Sequence, residues 1–180
     1  MARVRRVEPI DYVDVSPLLI QQAIRIYQDW KNLDAEIRAI STRGINFPSE
    51  LSEMFACYVL EYQLNKKSQG DAYDPRTKRI IEMKGSGSEK EDLSSFSPSE
   101  DFDELVFIKV VKSEDMIYIY NTGIDSEEFK KIKVNSEETV EDQQNQGRRP
   151  RFSIENLIIK PRGLAPNYKF DILNKKIIEL

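Results

Sequence analysis

The stretch GDAYDPRTKRIIEMKGSGS, Gly70 to Ser88, reads as two short apolar strands around a polar turn. Asp74 initiates the turn and Pro75 fixes the next backbone angle. Folding the chain back there predicts Tyr73 near Arg79, and Asp71 near Ile81 and Glu82. Residues two apart on a strand point the same way, so Glu82 and Lys84 share a face. Asp71 reaches that face if the register sets it beside Glu82. Two converging carboxylates repel each other unless a divalent cation cancels their charge. A lysine beside them then positions or deprotonates a metal-bound water, and the metal stabilises charge growing on a phosphate. The competing reading is a surface ion-pair ladder on an edge hairpin. Spacing does not choose between them, because an acid two residues before lysine recurs at Asp29/Lys31 and Glu128/Lys130, about as often as chance gives. Context separates the three: only Glu82 ends a β-rich run, follows a turn and has an acid on the preceding strand.

The 180 residues include no histidine. That excludes Ser-His-Asp and Cys-His dyads, His-rich zinc sites, and nucleases with histidine as base or nucleophile. No Gly-Lys pair occurs, so a Walker-type phosphate loop is absent, and no G-x-G-x-x-G follows a strand. Catalysis is left to carboxylates, lysine, tyrosine or serine, with a hard cation such as Mg²⁺, which prefers oxygen ligands. The single cysteine, Cys57, lies in MFACYVL and reads as a small buried thiol. The length fits one domain, 1–180. Without a leader-like start or a membrane-length apolar run, the sequence predicts a soluble, cytoplasmic protein. A net charge of -4 argues mildly against nucleic acid. Its distribution argues the other way, since arginines gather in ARVRR and GRRPR while acids crowd SEKEDLSSFSPSEDFDE and NSEETVED, and localised basic patches still hold a duplex.

Ser16-Pro17 is a helix start. Leu19, Ala23, Ile26, Tyr27, Trp30, Leu33, Ile37 and Ile40 then predict one long amphipathic helix to about Ile40, suited to a core or a partner subunit. STRGINFPS breaks it, and Ser49 opens a second helix. Glu89 to Glu100 reads as a solvated loop. ELVFIKVV and MIYIYN are strands, DSEEFKKIKVN a short helix or turn, and SEETVEDQQNQG a polar helix capped by Ser136 and stopped at Gly147. RFSIENLIIK reads as a strand and YKFDILNKKIIEL as a strand or short helix. This order predicts an α+β fold with a central mixed β-sheet flanked by helices.

The hairpin Gly70-Asp71, turn, Ile80-Ile81-Glu82-Met83-Lys84-Gly85-Ser86 resembles that of the PD-(D/E)XK nucleases, and FDELVFIKV resembles the strand that follows it. EDQQNQGRRPRFSI resembles a segment of the small type II restriction endonucleases that cut interrupted GC-rich palindromes such as GCNGC. The likeness runs from about Phe47 to Ile154. It implies a restriction-endonuclease-like fold, double-stranded DNA as substrate, Asp71 and Glu82 as Mg²⁺ ligands, and Lys84 acting on the attacking water. It also implies a homodimer with one active site per DNA strand. Gly70 replaces the usual proline, and Asp74-Pro75 reverses its order, so either Asp71 or Asp74 is the ligand; Asp74 already has a turn role, which favours Asp71. Glu53, in PSELSEMF, is the helix glutamate that the likeness implies near the metal, against a solvated helix charge. On this reading the chain divides into N-terminal helices 16–66, catalytic hairpin and sheet 70–120, and DNA-recognition segment 136–160.

Within that segment Arg148, Arg149 and Arg151 surround a proline. Arginine bonds guanine O6 and N7 bidentately, the commonest specific major-groove contact, although phosphates take half or more of the bonds in such interfaces. One or two of the three are expected to read bases and the rest to hold the backbone. Gln143, Gln144 and Asn145 on the polar helix are further candidates, as is Ser153, two residues past Arg151. KGSGSEK reads as a mobile connection after the catalytic strand. The alternatives are a structure-specific or repair nuclease of the same fold, and a non-catalytic acidic binding module.

Overall fold

The computed structural model describes residues 11–66, 70–99 and 101–180. The basic run Ala2–Arg6 and Glu100 lie outside the described residues. In chain order the elements are β1 (Tyr12–Asp14), α1 (Pro17–Ile40), α2 (Ser49–Leu60), β2 (Gln63–Asn65), β3 (Ala72–Asp74), β4 (Arg79–Ser86) and β5 (Ser94–Ser95). There follow β6 (Glu104–Val111), β7 (Met116–Asn121), α3 (Ser126–Lys130), α4 (Val140–Asn145), β8 (Arg151–Phe152), a π-helical turn (Glu155–Ile159), β9 (Tyr168–Asp171) and β10 (Lys176–Glu179). Eight strands form one mixed sheet in the order β1-β2-β3-β4-β6-β7-β9-β10. Within it β4 and β6 run parallel, because the chain from Gly87 to Asp103 crosses over instead of turning back. The expectation of α+β architecture with a mixed sheet and flanking helices holds.

The near-continuous apolar run of β6 is what a strand covered on both faces requires. Val106, Ile108 and Val110 face the layer built by α1 and α2. Leu105 and Phe107 face a second layer containing Phe96, Phe102, Phe129, Phe152 and Ile158. Ile81 and Met83 of β4 join the first cluster and Ile80 the second. Glu82 and Lys84, alternating with Ile81 and Met83, therefore lie on the second face.

Helix α1 starts as the sequence predicts, with the Leu19 N–H donating to Ser16 Oγ at 3.2 Å and Pro17 in the first turn. Its predicted apolar stripe divides in two. Ala23, Tyr27 and Trp30 are buried, together with Ile20 and Ile24, whereas Ile26, Leu33 and Ile40 are exposed.

Four local expectations change. The hairpin register is Tyr73 with Ile80 and Asp74 with Arg79, one residue from the expected Tyr73–Arg79. The turn occupies Pro75–Lys78, closed by the Lys78 N–H on the Asp74 carbonyl with Lys78 at φ 60. The acidic segment 89–99 is not all solvated, because Asp92 and Phe96 are buried and β5 pairs with β8. Phe96 stacks on Phe152 at 5.2 Å. The cap of α4 is Thr139 in a capping box with Asp142, not Ser136. The Asn135 side chain takes the Glu137 and Glu138 amides and so delays the helix.

The last change concerns RFSIENLIIK, which is extended only at Arg151–Phe152. The Asp92 carboxylate accepts the Ile154 and Glu155 amides at 2.8 and 2.9 Å and the Ser153 hydroxyl at 2.8 Å, capping a helical turn where branched side chains suggested a strand. The terminal segment is a hairpin, β9 with β10.

Loop 41–47 is tied to α1 by Asp34, which is 1 % exposed. Its carboxylate accepts the Ile45 N–H at 2.8 Å, Arg38 Nε at 2.8 Å and Lys112 Nζ at 2.5 Å. Burial alone would raise this carboxyl; the bonds from Lys112, Arg38 and Ile45 outweigh it and lower it to about 2. A folded-state value below the unfolded one adds stability that is present above about pH 4 and lost as pH falls toward 2. Asp34→Asn should therefore cost about 2 kcal/mol at pH 7 and flatten the acid limb of thermal stability measured from pH 5 to pH 2.

Candidate active site on the hairpin

Strand β3 begins at Ala72, so Met83, further along β4, has no β3 residue opposite it. The Asp71 side chain takes that place: its Oδ2 accepts the Met83 N–H at 2.7 Å, while the Asp71 N–H donates to the Ile81 carbonyl at 2.9 Å. One step beyond the Ala72–Ile81 pair, Asp71 sits beside Glu82, on the face where Lys84 also points. Lys84 Nζ is ion-paired with Glu82 Oε1 and lies 5.1 Å from the centre of the Phe96 ring. Glu82 is buried and Lys84 half-buried. The hairpin thus joins the acid ahead of the turn to the acid-lysine couple after it.

Glu53 completes the group from α2. Its carboxyl is pushed up to about 8, first by burial and then by the charges of Asp71, Glu50 and Glu82, with Lys84 opposing. Burial likewise raises the Asp71 carboxyl, against the lowering effects of Lys84 and the Met83 amide. Glu53 is therefore within electrostatic reach of Asp71, Glu82 and Lys84, not a solvated helix charge. Cys57, one turn along α2, is buried and free, and its thiol is raised by burial and then by Glu53 and Asp71. The tight approach of α2 to β4 needs Gly85, because a Cβ there would come within 2.2 Å of Ser52 Oγ.

Asp74 is differently engaged. Its carboxylate accepts the Arg76 N–H at 3.0 Å, the Thr77 hydroxyl at 2.8 Å and Arg76 Nε at 3.2 Å. Burial would raise it, but the Thr77 and Arg76 bonds hold it below the usual carboxylate range. Its oxygens are committed to the turn, which leaves Asp71 as the acid on the Glu82 side.

Among the described residues, no three His, Cys, Asp or Glu side chains lie close enough to enclose a metal; Asp71 accepts an amide and Glu82 is paired with Lys84. The donor chemistry nonetheless fits a hard cation: all the donors are carboxylate oxygens. The raised proton affinities of Glu53 and Asp71 reflect desolvated negative charge that a dication relieves.

The arginine segment is only partly open. Arg148 pairs with Glu138, and the buried Gln143 donates to the same carboxylate at 3.1 Å. Gln144 Nε2 reaches the Ser97 carbonyl at 3.3 Å. The Ser153 hydroxyl is used inside the protein, donating to Asp92 and accepting the Asn156 N–H at 3.1 Å. Asn145, Arg149 and Arg151 are exposed. Asp92 and Phe96, which hold the segment and Lys84 respectively, sit in a stretch of Ser, Pro and acids that gives no periodic signal.

In metal-free protein Glu53 carries a penalty that grows as pH rises from the unfolded carboxyl value toward 8, because its folded-state value is raised. Glu53→Gln should therefore raise the melting temperature in EDTA by about 2–4 °C at pH 9, with a smaller gain at pH 5.

The Bsp6I restriction endonuclease family model matches residues 17–161, from α1 through the π-helical turn. The type II restriction enzyme Bsp6I of Bacillus sp. (strain RFL6) is 44% identical over 170 residues, 94% of this chain and 98% of that protein. No solved structure matches the chain. A family match spanning the hairpin, the α2 glutamate and the arginine segment, together with this near full-length likeness, establishes that the chain belongs to the Bsp6I restriction endonuclease family.

Proposed function

We propose that the chain is a Mg²⁺-dependent type II restriction endonuclease with a single PD-(D/E)XK-type domain, hydrolysing phosphodiester bonds of double-stranded DNA at a short GC-containing palindrome as a homodimer. The observation that carries this reading is the hairpin register that sets Asp71 beside Glu82 and Lys84, in a chain of a restriction endonuclease family. Asp71 and Glu82 hold the cation, with Glu53 as a third carboxylate from α2. When bound, the cation supplies Lewis acidity and neutralises charge developing on the phosphate. Lys84 is kept in place by Glu82 and the Phe96 face, and there it orients the attacking water and assists its deprotonation.

Arg149 and Arg151 project toward DNA, one reading guanine and the other holding phosphate. Arg148 engages DNA by leaving Glu138, and Gln144 and Ser153 contribute through the backbone they brace. A two-fold dimer brings one hairpin to each strand of a palindrome. Among the described residues no helix is long and apolar enough to cross a membrane, in keeping with a cytoplasmic site of action.

Incubation of plasmid with the protein and Mg²⁺ should yield discrete fragments whose sequenced ends share one short motif. A preference for branched substrates would instead favour a repair nuclease. Glu82→Ala and Lys84→Ala should each reduce cleavage by roughly a thousandfold or more while duplex binding persists. Asp71→Asn should do the same. Asp74→Asn should lower the melting temperature and leave cleavage of folded protein within about tenfold. Normal cutting by the Glu82 and Lys84 variants would remove both from the mechanism.

A further inference from the structure

Beyond the hairpin and the arginine segment, loop 41–47 and the chain leaving β4 enclose a cleft of about 640 Å³. Gly85 to Ser88, which follow Lys84 in the chain, line it. The cationic side chains lining it are Arg38, Arg43, Lys112 and Arg151, against the single acid Glu91. Arg38 and Lys112 are bound to Asp34. Arg43 and Arg151 are exposed and have no acidic partner among the described residues.

The loop carrying Arg43 is fixed before any ligand arrives. The Asp34 carboxylate accepts the Ile45 amide, and Gly44 permits that approach because a Cβ there would come within 1.9 Å of Asp34 Oδ1. Across the cleft, a Cβ on Gly87 would come within 3.0 Å of Phe47 Cβ, so the two walls approach closely at that point. A polar groove with an excess of fixed positive charge, running to the end of a catalytic strand, suits a sugar-phosphate chain. Arginine is the side chain whose fork matches phosphate oxygens.

We propose that this cleft seats one DNA sugar-phosphate strand, and that Arg43 is a phosphate contact that positions the strand for the hairpin. The proposal rests on the endonuclease reading and adds a binding residue outside the predicted recognition segment. Arg43 acts as a positioning residue and takes no part in the bond-breaking step.

The test is fluorescence anisotropy of the full chain, with Ca²⁺ replacing Mg²⁺ to block cleavage, on a duplex carrying the cut site and on an unrelated duplex. Arg43→Ala should weaken both by about tenfold and reduce the slope of log K against log salt by about one. Arg43→Lys should recover most of the affinity and the slope. Arg25→Ala, an exposed α1 residue that does not line the cleft, should change neither. A wild-type chain that binds and cuts while Arg43→Ala keeps full affinity and slope would overturn this proposal alone. A wild-type chain that binds no duplex would overturn it together with the functional reading.

Discussion

The site depends on one side chain completing a strand pair. Where β3 stops, the Met83 amide of β4 would be left without a partner, and the Asp71 carboxylate accepts it. An unpaired amide in that buried stretch would be costly, so the bond fixes the Asp71 side chain as firmly as backbone pairing fixes the strand. The same bond holds a carboxylate beside Glu82, in a region where Glu53 is already pushed toward its neutral form. Such crowding of desolvated acids is unfavourable without a neutralising cation. It is understandable as a site that becomes favourable when a dication arrives, which is the usual exchange of stability for function.

The rest of the architecture keeps this hairpin rigid. Strand β4 lies between β3 and β6 and is covered by α1 and α2 on one face and by the phenylalanine cluster on the other. Asp92 then links two distant parts of the second layer. By capping the turn after β8, it holds the arginine segment against the crossover chain, which also delivers Phe96 to Lys84. The arginine segment and the hairpin are thus connected through buried polar and aromatic contacts. Asp34 has the corresponding role on the first face, where it anchors loop 41–47.

Elements with strong local signals were legible in the sequence: α1 from its Ser16-Pro17 start, β6 and β7 from their branched and aromatic runs, and the β3–β4 hairpin from Asp74-Pro75. The grouping of Asp71, Glu82 and Lys84 followed from strand alternation. What escaped depended on contacts remote in sequence. Exposed Ile26 and Leu33 follow the same periodicity as buried Tyr27 and Trp30, so the pattern could not say which face meets the sheet. The segment after Arg151 has strand-like composition, yet a carboxylate some sixty residues earlier bends it into a helical turn. Asp92 is an acid in polar surroundings by sequence. Burial gives it its significance, and nothing local encodes that.

The most direct measurement is a crystal structure of the protein on its own cut duplex with Ca²⁺, locating the ion by anomalous scattering. The account predicts an ion with Asp71 and Glu82 oxygens both within about 2.6 Å and the scissile phosphate on its open side. An ion held elsewhere, or a scissile phosphate seated away from the hairpin with Asp71 still bound to the Met83 amide alone, would contradict it.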